Sequence, residues 1–166
     1  MGKCLNLGVR KSRHGIVAKF DDDDYYAPAY LKDCMRAFKK SHADIIGKRA
    51  HFVWLKESKA LILRYPNDEK KFVSILPGAT LVFKKKVFKK VRFSNLTVGE
   101  DDKFCQDSLA KGFKIFSAGR YHFVAIRRES SVGHTWIVSD KELLESDIRL
   151  IPGVKKYKKY AARKRT

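Results

Sequence analysis

Four consecutive aspartates, residues 21–24, interrupt an otherwise strongly basic chain of 166 residues. Neighbouring carboxylates ~4 Å apart repel each other by about 1 kcal/mol in water and about 4 kcal/mol at an effective dielectric constant of 20. A cation or a basic group must therefore offset this repulsion if the run lies beside a buried strand. In an extended backbone, Asp21 and Asp23 share one face and can hold one cation, directly or through water. Hard oxygen ligands favour Mg²⁺ or Mn²⁺.

A simpler interpretation of the four aspartates is an acidic loop tip before a helix. Pro28 fits the first position of a helix, and the positive end of the helix dipole favours nearby anions. Four acidic residues are more than helix capping requires, so the residues favour the metal site, with the loop tip as the alternative.

A second acidic group follows Gly99, at Glu100, Asp101 and Asp102. Thr97 and Glu100 have the spacing of a capping box, and acidic residues are common in a first helical turn. Capping therefore explains this group by itself, and the functional alternative is a general base held at a helix N-terminus. His134 lies between Gly133 and Thr135, where a lone histidine is more often a loop residue than a metal ligand, and the metal ligand is the functional alternative.

The periodicity of apolar residues predicts alternating strands and helices. Residues 15–20 predict a buried strand that ends at the aspartates, and residues 28–41 predict a helix. Strands are predicted at residues 44–47, 51–55, 60–64, 79–83, 113–116 and 123–127, with the second and third joined in a hairpin. A helix is predicted from Thr97 to about Lys111, a second capping box at residues 139–142, and a frayed tail after Pro152. This alternation indicates an α/β fold around a mixed sheet.

Composition restricts the class of protein. There are 37 Lys and Arg residues against 18 Asp and Glu, a formal charge of +19, yet 44% of the residues are hydrophobic. The chain can therefore bury a core and is not a disordered polycation. It has no apolar run long enough to span a membrane and no secretory signal, and its three cysteines show no zinc-binding spacing, which together predict a reduced, cytoplasmic protein.

The positive charge is concentrated in a few segments. Residues 153–166 contain seven basic side chains and no acidic one, and residues 84–92 hold a second cluster. Such surfaces attract polyanions, either nucleic acid or an anionic membrane surface. The alternative is a solvated surface that only keeps the protein soluble.

Five segments taken together resemble the later part of the family 2 glycosyltransferases of the GT-A fold. They are residues 20–28, 76–83, 99–101, 112–116 and 134–136, and they follow the family's order and spacing. The resemblance covers about residues 5–144. It implies an α/β fold in which a mixed sheet is flanked by helices, as a partial GT-A domain over residues 1–152 followed by a basic tail over residues 153–166.

The resemblance also implies roles for individual residues. Asp21 and Asp23 would correspond to the Asp-X-Asp motif that holds a divalent cation, Mn²⁺ or Mg²⁺, on a nucleotide-sugar diphosphate. The other implied roles are Asp22 near the ribose; Gly78, Ala79 and Thr80 beside the donor; Asp101 as catalytic base; Glu100 on the acceptor side; His134 completing the metal site; and Trp136 in acceptor binding. The implied reaction is inverting transfer of a sugar from a donor such as a UDP-sugar to the hydroxyl of a saccharide or another acceptor.

One departure from the family concerns the start of the chain. The family's domain opens with βα units that bind the nucleotide, and only 14 residues precede the predicted strand here. The resemblance therefore implies a truncated enzyme, an enzyme completed by another chain or a second copy, or an inactive remnant. Unpaired sheet edges favour such association. The competing hypothesis is a basic binding module for nucleic acid or an anionic membrane surface, and a cytoplasmic protein peripheral to the membrane suits either.

Overall fold

The computed structural model describes residues 1–127 and 147–163. Its strands are β1 Ile16–Ala18, β2 Tyr25–Tyr26, β3 Ile45–Gly47, β4 His51–Leu55, β5 Ala60–Arg64, β6 Lys71–Phe72, β7 Val82–Lys84, β8 Ile115–Ser117, β9 Phe123–Arg127 and β10 Ile148–Ile151. Its helices are α1 Gly2–Lys11, α2 Tyr30–Ser41, α3 Lys85–Phe88, α4 Glu100–Ala110 and α5 Tyr157–Ala161, with a 3₁₀ turn at Gly78–Thr80. None of the described helices has the length and apolar character needed to cross a membrane.

The strands form two five-stranded mixed sheets. Sheet A has the order β1-β7-β3-β8-β6, and only its β3–β8 pair is parallel. Sheet B has the order β10-β5-β4-β9-β2, and only its β4–β9 pair is parallel. The predicted α/β fold with a mixed sheet flanked by helices is confirmed, with the difference that the strands divide into two sheets.

Helices cover both faces of sheet A because side chains along each strand alternate between its faces. On β3, Ile45 packs into a core with Phe104 of α4, whereas Ile46 packs into a second core with Cys34 and Phe38 of α2. All of these side chains are buried. The sheet is thus the middle layer between α2 and α4. Both helices start near the 3₁₀ turn that lies against the end of β3.

Most predicted elements are present. The hairpin of residues 51–55 and 60–64 is observed with those bounds, as is the strand at residues 123–127. Helix α2 begins at Tyr30, two residues after Pro28, and ends at Ser41 as predicted. The predicted strand at residues 79–83 is instead a 3₁₀ turn followed by the shorter strand β7. The capping box at residues 139–142 lies outside the described residues.

The acidic run does not have the extended backbone that the sequence analysis assumed when it placed Asp21 and Asp23 on one face. Strand β1 ends at Ala18, and the backbone turns at residues 22–23 before β2 begins at Tyr25. The alternation of faces along a strand therefore does not apply to the aspartates.

The prediction that the chain frays after Pro152 is wrong. Helix α5 packs on sheet B, and Ala161 is fully buried. The ring of Tyr157 stacks on Trp54, with centroids 4.9 Å apart, and Tyr160 contacts Phe52 edge-on at 5.4 Å. The backbone N–H of His122 also donates to the carbonyl of Ala161 at 2.8 Å. Aromatic residues spaced among the lysines provide the apolar side that the sequence analysis had overlooked.

Helix α5 should therefore contribute to global stability. Tyr160→Ala removes most of an aromatic contact in this core and should lower the free energy of unfolding by roughly 2–4 kcal/mol. The neighbouring exposed Lys159→Ala should change it by less than about 0.5 kcal/mol. Urea unfolding followed by circular dichroism measures both. Equal stabilities for the two variants would mean that α5 is not docked.

Candidate active site

The phenol of Tyr26 joins the acidic run to the 3₁₀ turn. The backbone N–H of Asp21 donates to the Tyr26 hydroxyl at 2.9 Å, and this hydroxyl donates to the carbonyl of Ala79 at 2.7 Å. Burial, together with the nearby carboxylates, raises the pKa of Tyr26 far above its ordinary value. The phenol therefore stays protonated and remains able to donate to Ala79.

Asp101 contacts the other side of the same turn. Its Oδ2 accepts a hydrogen bond from the Gly78 N–H at 2.6 Å, and its Oδ1 accepts one from the Asp102 N–H at 3.0 Å. A Cβ atom at position 78 would lie 2.8 Å from Asp101 Oδ2, so only glycine allows this approach. Both oxygens are therefore oriented by backbone N–H groups. Asp101 itself lies in the first turn of α4, where the helix dipole favours an anion.

The helix start also corrects one expectation for Glu100. Helix α4 begins at Glu100 with Gly99 as its N-cap, and no side chain caps it. The predicted capping box with Thr97 is therefore absent, because the helix starts three residues later than the pattern suggested. Glu100 lies half-buried immediately before Asp101.

Thr80 holds the turn in place from the buried side. Its Oγ1 accepts from the Lys48 N–H and donates to the carbonyl of Pro77, both at 3.0 Å. Its carbonyl accepts from the Tyr30 hydroxyl, also at 3.0 Å. Gly47, at the end of β3, lies so close that an added Cβ would be 2.8 Å from Thr80 Oγ1. The turn is thus fixed against the carboxyl end of β3.

Two of the four aspartates have their charge offset within the protein. Lys19 forms an ion pair with Asp21. Asp24 accepts the Ile126 N–H at 2.9 Å, and burial, reinforced by the charges of Asp23 and Asp21, raises its pKa to about 7. Asp22 is exposed on the intervening turn. Lys19 therefore offsets part of the repulsion among the four carboxylates.

The predicted metal ligands are placed only in part. In residues 1–127 and 147–163, no three His, Cys, Asp or Glu side chains are grouped so that they could hold a metal ion by themselves. His134 and Trp136 lie outside the described residues. Mg²⁺ and Mn²⁺ commonly take one or two protein carboxylates and complete their shell with water and substrate phosphate. The chemistry of the acidic turn fits that requirement.

The basic cluster at residues 84–92 lies away from this site. Lys84 is opposite Ile16, at the start of β1, whereas the aspartates follow the end of that strand. Lys86 pairs with Asp44 at 2.7 Å. Lys84 and Lys86 therefore lie at the other end of β1 from the aspartates.

Sequence reasoning missed Tyr26 and Lys19, which connect the predicted residues. Both lie within two residues of the acidic run, which was the available signal. Neither belongs to a recognisable spacing pattern, and the partner of Tyr26 is 53 residues away in sequence.

These elements define a glycosyltransferase-like fold. Among solved structures, the chain is similar to S. aureus TarS 1-349, with a TM-score of 0.55 and 16% identity over 75% of this chain and 40% of that chain. It is also similar to the same TarS fragment in complex with UDP-GlcNAc, with a TM-score of 0.58 and 19% identity over 87% of this chain and 44% of that chain. The chain thus spans less than half the length of either structure. No protein-family model matches it, and a search of curated proteins found no relative.

Removing one hydroxyl tests the connection between the acidic run and the turn. Tyr26→Phe leaves the Asp21 N–H and the Ala79 carbonyl without their partner, and should lower the free energy of unfolding by about 1–3 kcal/mol. Tyr25→Phe, one residue earlier, is the matched control and should be nearly neutral. Chemical denaturation compares them, and equal effects would contradict the bridge.

The buried carboxyl of Asp24 should make stability depend on pH. The folded-state pKa of Asp24 is about 7, well above the ordinary value of an aspartate, so the protonated form is favoured in the folded protein. The fold therefore loses stability as the pH rises from about 4 to about 7. The loss at pH 8 is at most about 4 kcal/mol. Asp24→Asn can still accept the Ile126 N–H without this cost. Its stability relative to the unmodified protein should therefore increase between pH 4 and pH 8.

Thermal or urea unfolding at several pH values measures this difference. The control is Asp22→Asn, which removes a charge from the same run but from an exposed side chain. A difference between Asp24→Asn and the unmodified protein that stayed constant with pH would contradict the assignment.

Proposed function

We propose that this chain is a metal-dependent, inverting glycosyltransferase module of the family 2 type. It would transfer a sugar from a nucleotide-diphosphate sugar, most simply a UDP-sugar, to an acceptor hydroxyl. The observation that carries the proposal is the hydrogen-bonded connection from the acidic run through Tyr26 and the Gly78–Thr80 turn to Asp101. Similarity to a fold crystallised with UDP-GlcNAc supports the donor class.

Asp101 is the proposed general base. Its carboxylate is oriented by hydrogen bonds from the N–H groups of Gly78 and Asp102. It would take the proton of the acceptor hydroxyl as the oxygen attacks the anomeric carbon. General bases typically contribute ~10²–10⁴-fold to a rate. Glu100, the preceding residue, lies where it could contact the acceptor.

Asp21 and Asp23 would hold the cation, with His134 as the third predicted ligand. A bound Mn²⁺ or Mg²⁺ would supply Lewis-acid stabilisation of the departing diphosphate. Lys19 is paired with Asp21, so it would compete with a cation for this carboxylate. We assign Asp22, the exposed member of the run, to the ribose side of the donor.

The 3₁₀ turn would lie between donor and base. Gly78 and Ala79 are half-buried, and the Gly78 N–H already orients Asp101. Thr80 is fully buried and fully used in internal hydrogen bonds, so we assign it the task of holding the turn's shape. The donor sugar would contact the turn through Gly78 and Ala79.

We assign the acceptor to an open cleft of about 320 Å³, several of whose lining residues come just before this turn in the sequence. It is lined by Arg49, Asp68, Lys71 and Ser74, among others. Arg49 also acts electrostatically on Asp102, beside the proposed base. Its guanidinium lies 3.5 Å from the centroid of the Tyr65 ring, which keeps the side chain in place. Trp136 would add an apolar wall for the acceptor.

The match covers 40–44% of the structural neighbours' chains. We also propose a partner on the nucleotide side of the donor, either a complementing chain or a second copy.

Donor binding gives the first test. Mn²⁺ together with UDP should raise the melting temperature of the protein, and Asp23→Asn should remove most of this shift. The control is Asp107→Asn, which removes an acidic charge near the end of α4 and should retain the shift in melting temperature. A melting temperature that Mn²⁺ and UDP leave unchanged would argue against a donor site in this chain.

A variant of Asp101 separates donor binding from sugar transfer. Asp101→Asn should keep the Mn²⁺–UDP shift but lower sugar transfer or UDP-sugar hydrolysis by at least about a hundredfold. An Asp101→Asn variant with undiminished turnover would remove Asp101 from the role of base.

A further inference from the structure

Helix α5 presents a row of cations that have no acidic partner in the described part of the chain. Tyr157, Tyr160 and Ala161 face the core of sheet B, which leaves the basic residues exposed. None of the exposed Lys155, Lys156, Lys158, Lys159 and Arg163 forms an ion pair with an acidic side chain of residues 1–127 or 147–163. Docking of α5 therefore gives these charges a defined position, which a frayed tail would not have.

The β4–β5 turn adds to this surface. Strand β10 runs antiparallel to β5 with Ile151 opposite Leu61, so the chain leaves β10 beside that turn. Lys56 and Lys59 are exposed there, with Glu57 as the acidic residue of the turn. We call these seven cations the basic face: Lys56, Lys59, Lys155, Lys156, Lys158, Lys159 and Arg163.

The start of the basic face lies at the same end of sheet B as the acidic run, whereas α5 leads from there to His122, at the opposite end of β9. Leu55, the last residue of β4, is opposite Arg127, the last residue of β9. Asp24 is bonded to Ile126 in that same part of β9. Lys158 Nζ, in addition, lies 5.4 Å from the centroid of the Tyr25 ring, which directly follows the four aspartates. Lys158 thus lies near the start of β2 on the face of sheet B where Tyr25 packs, whereas Tyr26 and Ala79 pack on the opposite face.

The aromatic residues of α5 indicate which polyanion fits. Sequence-tolerant binding of single-stranded nucleic acid uses exposed aromatic rings on which bases stack. Here the Tyr157 ring is stacked on Trp54, and Tyr160 is packed against Phe52 and lies 4.7 Å from the Arg163 guanidinium. The exposed part of the basic face is thus ammonium and guanidinium groups, which recognise charge density rather than bases. Anionic lipid headgroups present such a layer.

We propose that the basic face binds an anionic lipid surface. This role is independent of the proposed transferase chemistry, since binding needs neither donor nor turnover.

Flotation with lipid vesicles tests the proposal on the full chain. The protein should bind vesicles of phosphatidylcholine mixed in equal parts with phosphatidylglycerol, should bind phosphatidylcholine vesicles weakly, and should be released by high salt. Replacing Lys155, Lys156, Lys158 and Lys159 by Gln should weaken partitioning by at least about a hundredfold, since each lysine near an anionic surface contributes on the order of a tenfold factor.

The matched control removes the same charge elsewhere. Lys39, Lys40, Lys89 and Lys111 are exposed, and replacing all four by Gln should leave most of the binding intact. Circular dichroism and a thermal melt establish that both variants are folded.

Three results would overturn the proposal. Equal losses in the two variants would show that net charge alone drives binding, and equal affinity for neutral vesicles would exclude charge recognition. Tighter binding to duplex or single-stranded DNA than to the anionic vesicles at the same salt, lost in the α5 variant, would assign the basic face to nucleic acid instead.

Discussion

Repulsion among four adjacent carboxyl groups is the constraint on which the candidate site depends. The protein relieves it in different ways at the two ends of the run. Lys19 pairs with Asp21, whereas Asp24 is withdrawn from solvent and has a pKa near neutrality. The two middle aspartates are left on a turn rather than in a strand. Asp22 is the exposed member of the run at this turn.

The same turn is joined to the rest of the site by backbone groups rather than by side-chain pairs. Tyr26 connects the backbone of Asp21 to that of Ala79, and the Gly78 N–H orients Asp101. Backbone donors and acceptors have fixed positions once the sheet and helices are packed. The geometry between the acidic run and Asp101 is therefore a property of the core, and especially of the close contact between Gly47 of β3 and Thr80.

Charge is also separated over the molecule in an orderly way. The acidic run lies beside a basic helix at one end of sheet B, while the cluster around Lys84 and Lys86 lies at the far end of β1. A chain of formal charge +19 thus has a local negative centre bordered by cations. This arrangement suits a site that holds a cation while an anionic surface or ligand approaches.

The sequence by itself determined the class of fold and most of the elements, since apolar periodicity reflects which side of a strand or helix is buried. It also singled out the four aspartates, because adjacent carboxylates beside a buried strand are unusual in such a chain, whereas Gly78 and Asp101 were implied only by the family resemblance. Only the tertiary structure decided how they meet, through Tyr26 and the Gly78 N–H, because those contacts join residues distant in sequence. It also decided that α5 is docked: burial of Tyr157, Tyr160 and Ala161 depends on the apolar surface that sheet B offers, which the lysine-rich segment does not reveal.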